Sequence, residues 1–125
     1  MKLTIPGEFP GLNEYISAER ANKYGGAEMK KGCTDTVAWL AAIEQPIETY
    51  PVCVSFHWFV KNRRRDIDNI TGFGQKVCID GLVKGGVLEN DSMKFVRELR
   101  HVVSVDRDNP RVEIEITEVQ GELDS

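Results

Sequence analysis

Two aspartates stand one residue apart in the run KNRRRDIDNI, Lys61 to Ile70. Side chains at i and i+2 of an extended segment point to the same face, so Asp66 and Asp68 can offer two carboxylates to one divalent cation. Hard cations such as Mg2+ take oxygen ligands and retain several waters for a substrate phosphate. A third carboxylate has to come from elsewhere, and the acidic turn LENDS offers Glu89 and Asp91. The same residues also have a plain reading. An Asp ahead of an apolar helix is an ordinary N-cap, and a lone Asp in a turn is an ordinary surface acid. Spacing alone leaves both readings open.

The cations nearby bear on that choice. Lys61, Arg63, Arg64 and Arg65 precede Asp66 directly. Most charge runs are solvated loops, but arginine grips phosphate bidentately and would hold a polyanion beside carboxylates that repel it. Lys76, Asp80 and Lys84 follow at i, i+4 and i+8 and form one polar stripe on an apolar helix. They are either two helical ion pairs or a lysine, Lys76, facing a reacting phosphate. Arg20, Lys23, Lys30 and Lys31 form a second basic group, read as a solvated helix face with phosphate contact as the alternative. His57 and His101 sit within strands and read as packed or surface residues rather than ligands. There is no GxxxxGK[ST] loop, no GxGxxG and no Ser-His-Asp pattern, so nucleotide hydrolysis and dinucleotide chemistry are not supported.

The elements that must position these groups follow from periodicity. Lys2 to Ile5 alternates and reads as a strand, and PGEFPG is a loop. Leu12 to Lys31 has helical spacing weakened at Gly25 and Gly26, and Thr34 to Ile43 is a clearer helix ended by Pro46. Pro51 to Lys61 alternates strongly and is the best strand. Asn69 to Val83 is apolar on most sides, as a helix packed on several faces is. Phe95 to Asp106 and Arg111 to Val119 are two further strands. The order β-α-β-α-β-β predicts an α/β fold with a mixed four-stranded sheet and helices packed against it, in one domain over residues 1–119 with a disordered tail at 120–125. A helix of four turns spans roughly 22 Å, so Asp91 belongs at the far end from Asp66 unless the chain doubles back or a second subunit supplies it.

Composition bounds the rest. A chain of 125 residues that is 41% hydrophobic can bury one core. Three cysteines with no CxxC argue against a disulfide framework or zinc ribbon and for a reducing compartment. No apolar run is long enough to cross a bilayer and no leader is visible, which predicts a soluble cytoplasmic protein. The net charge of −4 counts against a nucleic-acid binder, although bound cations cancel part of a carboxylate excess.

The segments RRRDIDNI at 63–70, QKVCIDGLVKGGVLEND at 75–91 and IPGEFPGLNEYI at 5–16 together resemble the RusA family of Holliday-junction resolvases, which includes phage-borne members. The resemblance implies a homodimer that cuts four-way DNA symmetrically in recombination and repair with Mg2+ or Mn2+. It implies catalytic, metal-holding acids at Asp66, Asp68 and Asp91, and a catalytic lysine at Lys76. That lysine falls one helical turn later than in the enterobacterial pattern, where this chain has Gly72. Asn90 stands where some members carry a fourth acid. DNA contacts are expected from Lys61, Arg63, Arg64, Arg65, Lys30 and Lys31. A binding protein of the same fold that does not cut, or a nuclease for other branched DNA, are the alternatives.

Overall fold

The structure is a computed structural model that describes residues 1–119; the tail expected at 120–125 lies outside the described residues. The elements run β1 (Lys2–Pro6), α1 (Leu12–Ala21), α2 (Lys23–Ala41), β2 (Val52–Val60), α3 (Ile67–Lys84), β3 (Val96–Val105) and β4 (Arg111–Glu118). They form an α/β fold around one mixed sheet of order β1-β4-β2-β3. β4 runs antiparallel to both β1 and β2, and β3 runs parallel to β2.

Strict alternation in β2 sends Val52, Val54, Phe56, Trp58 and Val60 into the core, where Val112, Ile114 and Ile116 of β4 join them from the paired positions. α2 and α3 cover this face through Val37, Ala41, Cys78, Ile79 and Leu82. α3 is packed on several sides, as its all-round apolar sequence predicts. Gly81 lies so close to α2 that a Cβ there would stand 2.4 Å from Val37 Cβ, a contact only glycine permits.

The first helical region differs from its sequence expectation. The break falls at Asn22, not at Gly25 and Gly26, and α2 runs unbroken through both glycines and on through Thr34. Asn22 leaves the helical region at φ −160°, and its side chain accepts from Tyr24 N at 2.8 Å as an N-cap. Gly26 is needed for packing: a Cβ would come within 3.2 Å of Glu19 Cα. A close helix-helix crossing thus outweighs glycine's poor propensity.

β3 is an edge strand tied to α3 by one polar chain. Trp58 Nε1 donates to His101 Nδ1 at 2.9 Å, and His101 Nε2 stands 2.6 Å from Gln75 Oε1. The indole is only a donor, so the imidazole is neutral with its proton on Nε2. Burial pushes the His101 pKa below its ordinary 6.5. A lowered folded-state pKa makes the neutral ring a source of stability above pH 6.5 that is lost as pH falls through the lower folded value. The urea midpoint is therefore expected to drop between pH 7 and pH 5, and to drop less in His101→Gln. Equal drops in the two proteins would separate this ring from acid sensitivity.

Candidate metal centre and nucleic-acid interface

The acid pair sits where β2 hands over to α3. The helix begins two residues earlier than periodicity suggests, so Asp66 is its N-cap (φ −70°, ψ 157°) and Asp68 lies in its first turn. The extended segment assumed for both aspartates is therefore corrected to a cap followed by a turn of helix. Apolar periodicity placed the start late because the core-facing residues begin at Ile70, while Ile67 and Asp68 of the first turn face outward. The N-cap position is real, but the Asp66 side chain makes no capping bond. Asp68 Oδ1 accepts only from the neighbouring Asn69 N, at 3.0 Å. Both carboxylates are exposed, and neither has an ion-pair partner among the described residues despite the four cations that precede them. Acids in a helix's first turn are favoured by its dipole, and the free N–H groups there suit a phosphate.

The expected basic residues divide into two groups. Lys61, Arg63 and Arg64 are exposed and carry no salt bridge among the described residues. Arg65 instead turns to Glu8, 2.7 Å away in a largely buried pair. On the helices, Lys31 is 2.8 Å from Asp35 and Lys30 is 4.0 Å from Asp80. The hydrogen bond from Lys31, reinforced by one from Lys84, holds the Asp35 carboxyl down to about 2. A cleft of about 490 Å³ opens at the C-terminal ends of β2 and β3, lined by Asn62, Arg63, Arg65, Ile67 and Val105 among others.

Lys76 and Asp91 form a second group. Lys76 Nζ lies 3.2 Å from Asp80 and 4.0 Å from Asp91, so one of the two helical pairs read from the stripe forms. Lys84 reaches Asp35 on α2 instead of Asp80. Asp68 and Lys76 are eight positions apart, roughly 12 Å of helix rise. β2 and β3 are parallel, with Val52 level with Val96 and Val60 level with Val105. α3 must therefore carry the chain from the end of β2 back to the start of β3. Asp66 and Asp68 lie beyond the end of β2 and Asp91 before the start of β3. Among the described residues no three acidic, His or Cys side chains come together as a metal-binding group. Asp91 thus meets Lys76 within the chain but does not complete the acid pair there. Glu89, the other candidate, is exposed, and its backbone N–H donates to Tyr50 Oη at 2.9 Å.

Two exposed, unpaired carboxylates with room for solvent suit Mg2+ or Mn2+, which bind through one or two protein carboxylates and keep waters or phosphate in the other positions. Two neighbours of the pair gave no signal in the sequence, because their partners are more than fifty residues away. Glu8 holds Arg65, and Asn69 Oδ1 accepts from Asn13 N at 2.8 Å.

No helix of the described residues is long and apolar enough to cross a membrane. No curated protein matches the chain at a significant level. A protein-family model described as endodeoxyribonuclease RusA matches residues 15–117 of the 125. The matched span takes in β2, α3, the acid pair, Lys76 and Asp91, and it begins after the PGEFPG loop. On that match the chain belongs to the RusA endodeoxyribonuclease family.

Proposed function

We propose that this protein resolves four-way DNA junctions by divalent-metal-dependent hydrolysis of phosphodiesters. The carrying observation is the pair of unpaired carboxylates, Asp66 and Asp68, exposed beside free arginines in a chain of this family. A bound Mg2+ or Mn2+ supplies a more acidic water and a Lewis acid for the phosphate oxygen. The chain's own residues do the rest. Asp66 and Asp68 would hold the ion, the N–H groups of Ile67 and Asp68 in the first turn of α3 would face the phosphate, and Lys61, Arg63 and Arg64 would neutralise the flanking backbone. Lys76, which lies beside Asp91, would meet charge that develops on the phosphate wherever Asp91 joins the acid pair.

Asp91 joins the site from a second copy of the chain in this reading. The parallel β2-α3-β3 unit separates it from Asp66 and Asp68 within one chain, and twofold symmetry reverses that separation. β3 offers the surface. It is an unpaired edge whose exposed Leu99, Val102 and Val105 are flanked by exposed Ile67 near one end and Met93 near the other. An antiparallel copy along this edge would set the start of one β3 beside the end of the other, and so Asp91 toward the partner's acid pair. Edges this apolar are otherwise a hazard.

The test is a labelled four-way junction with Mg2+, with EDTA, and beside flapped and linear duplexes. Cleavage is expected for the junction with Mg2+ only. Junction binding without cleavage in Mg2+ or Mn2+ supports a non-cutting binder of this fold, and preferential cleavage of flaps supports a nuclease for other branched DNA. Arg64→Ala is expected to weaken junction binding and reduce the slope of log affinity against log salt by about one. An unchanged slope removes Arg64 from the DNA interface.

A further inference from the structure

We propose that Glu8 and Asn69 are positioning residues for the Asp66–Asp68 pair, and that the β1–α1 segment acts as a brace for the metal-holding turn. The proposal rests on the metal reading of that pair.

Between Val60 and Ile67 the chain belongs to no strand or helix. The local bond from Arg64 N to Asn62 Oδ1, at 3.0 Å, is a turn contact within that segment. Fixing a free residue costs conformational entropy, so a loose turn would meet that cost each time an ion bound. Two contacts remove the looseness, one on each side of the acids. Immediately before them, Arg65 Nη2 donates to Glu8 Oε1 at 2.7 Å, with side chains only 25% and 19% exposed. Immediately after them, Asn69 Oδ1 accepts from Asn13 N in the first turn of α1. Asn69 thereby caps α1 in place of Gly11, which has no side chain to do so. Gly11 itself leaves room for the amide: a Cβ there would stand 2.7 Å from Asn69 Nδ2. Behind this clamp Tyr15 packs on Phe73 with ring centroids 4.7 Å apart.

Glu8 has a second effect. Arg65 is the nearest cation in sequence to Asp66. Left free, its guanidinium could pair with that carboxylate, since opposite charges at hydrogen-bond distance attract near a protein surface. It would then compete with the divalent ion. Glu8 draws Arg65 away, and the acids stay unpaired. The residues flanking the acids thus serve the fold, and the acids themselves are left for a ligand. Glu8 lies before the span matched by the family model, and Asn69 lies inside it.

The experiment measures Mn2+ uptake from the free-Mn2+ electron paramagnetic resonance signal, on full-length parent, Asp68→Asn, Glu8→Gln and Asn69→Ala proteins. Circular dichroism checks that each is folded. Lost or altered outer contacts cost 10–100-fold in metal affinity, so Glu8→Gln and Asn69→Ala should each raise the Mn2+ dissociation constant at least about tenfold. Junction affinity in EDTA should stay unchanged in Asn69→Ala, which alters no charge, and should not fall in Glu8→Gln, which frees Arg65; cleavage should recover in both at correspondingly higher Mn2+. A lesion of the DNA-binding surface would lower junction affinity in EDTA and would not be rescued by metal. Should Glu8→Gln not fold, Asn69→Ala carries the same test from the other side of the turn. Parental Mn2+ affinity in a folded brace variant, with uptake lost in Asp68→Asn, overturns the brace and leaves the metal reading standing. Parental uptake in Asp68→Asn itself overturns the metal reading, and the brace with it.

Discussion

Asp66→Asn and Asp68→Asn proteins should bind a labelled four-way junction at least as tightly as the parent and cut it about a thousandfold more slowly or not at all. The asymmetry is electrostatic. Each substitution removes a negative charge from a surface that must approach a polyanion, which helps binding. It also removes an ionised oxygen ligand, and a divalent ion's contribution to the transition state is several kcal/mol, each 1.4 kcal/mol being a factor of ten in rate. Stability should change little. Asp66 makes no side-chain capping bond, and Asp68 bonds only its neighbour's N–H, so neither carboxylate holds the fold together. Single-turnover cleavage with excess enzyme, beside gel-shift affinity in EDTA, measures both effects. A variant that cuts at the parental rate removes its aspartate from the site. A variant that fails to bind shows that the carboxylate orders the loop.

Mixing two inactive variants should restore cutting. If Asp91 acts on the partner's acid pair, an Asp68→Asn chain paired with an Asp91→Asn chain contains one doubly damaged site and one intact site. That dimer should nick one strand of the junction, while each variant alone does nothing. If all three acids act within one chain, every site in the mixed dimer is damaged and no nick appears. The expected contrast is close to all or none, because it compares an intact site with none. Chains mixed through a brief unfolding and refolding step, then assayed on a plasmid-borne junction, give the readout. Absence of nicking in demonstrably mixed dimers would overturn the shared site. It would also require the turn at Asp91 to move several residues' length along α3 to reach Asp68. The topology makes the shared site the simpler arrangement, since a parallel βαβ unit separates the end of its first strand from the start of its second.

Much of this was legible in one dimension. Alternation identified β2 and β4, whose one buried face imposes a period of two. All-round apolarity marked α3 as a helix packed on several sides, and DxD among arginines marked the candidate site. Helix boundaries were less legible. Gly25 and Gly26 looked like a break because propensity is a local property, whereas Gly26 serves a close crossing with Glu19 on a different helix. The start of α3 was placed late because its core-facing residues begin at Ile70, and the isolated Ile67 between two aspartates reads as part of the charged connection.

The sequence by itself determined the chemistry on offer: two carboxylates and several arginines within one short run, a lysine on the helix that follows, and a fold of alternating strands and helices. Those follow from residue type and near spacing, which act over a few residues. Tertiary structure alone decided which of these groups are free. It spent Arg65 on Glu8, Lys31 on Asp35 and Asn69 on the first turn of α1, and it set Asp91 beside Lys76 instead of beside Asp68. Ion pairs and hydrogen bonds depend on distance in space, and a parallel strand pairing joins and separates residues with no regard for their order in the chain.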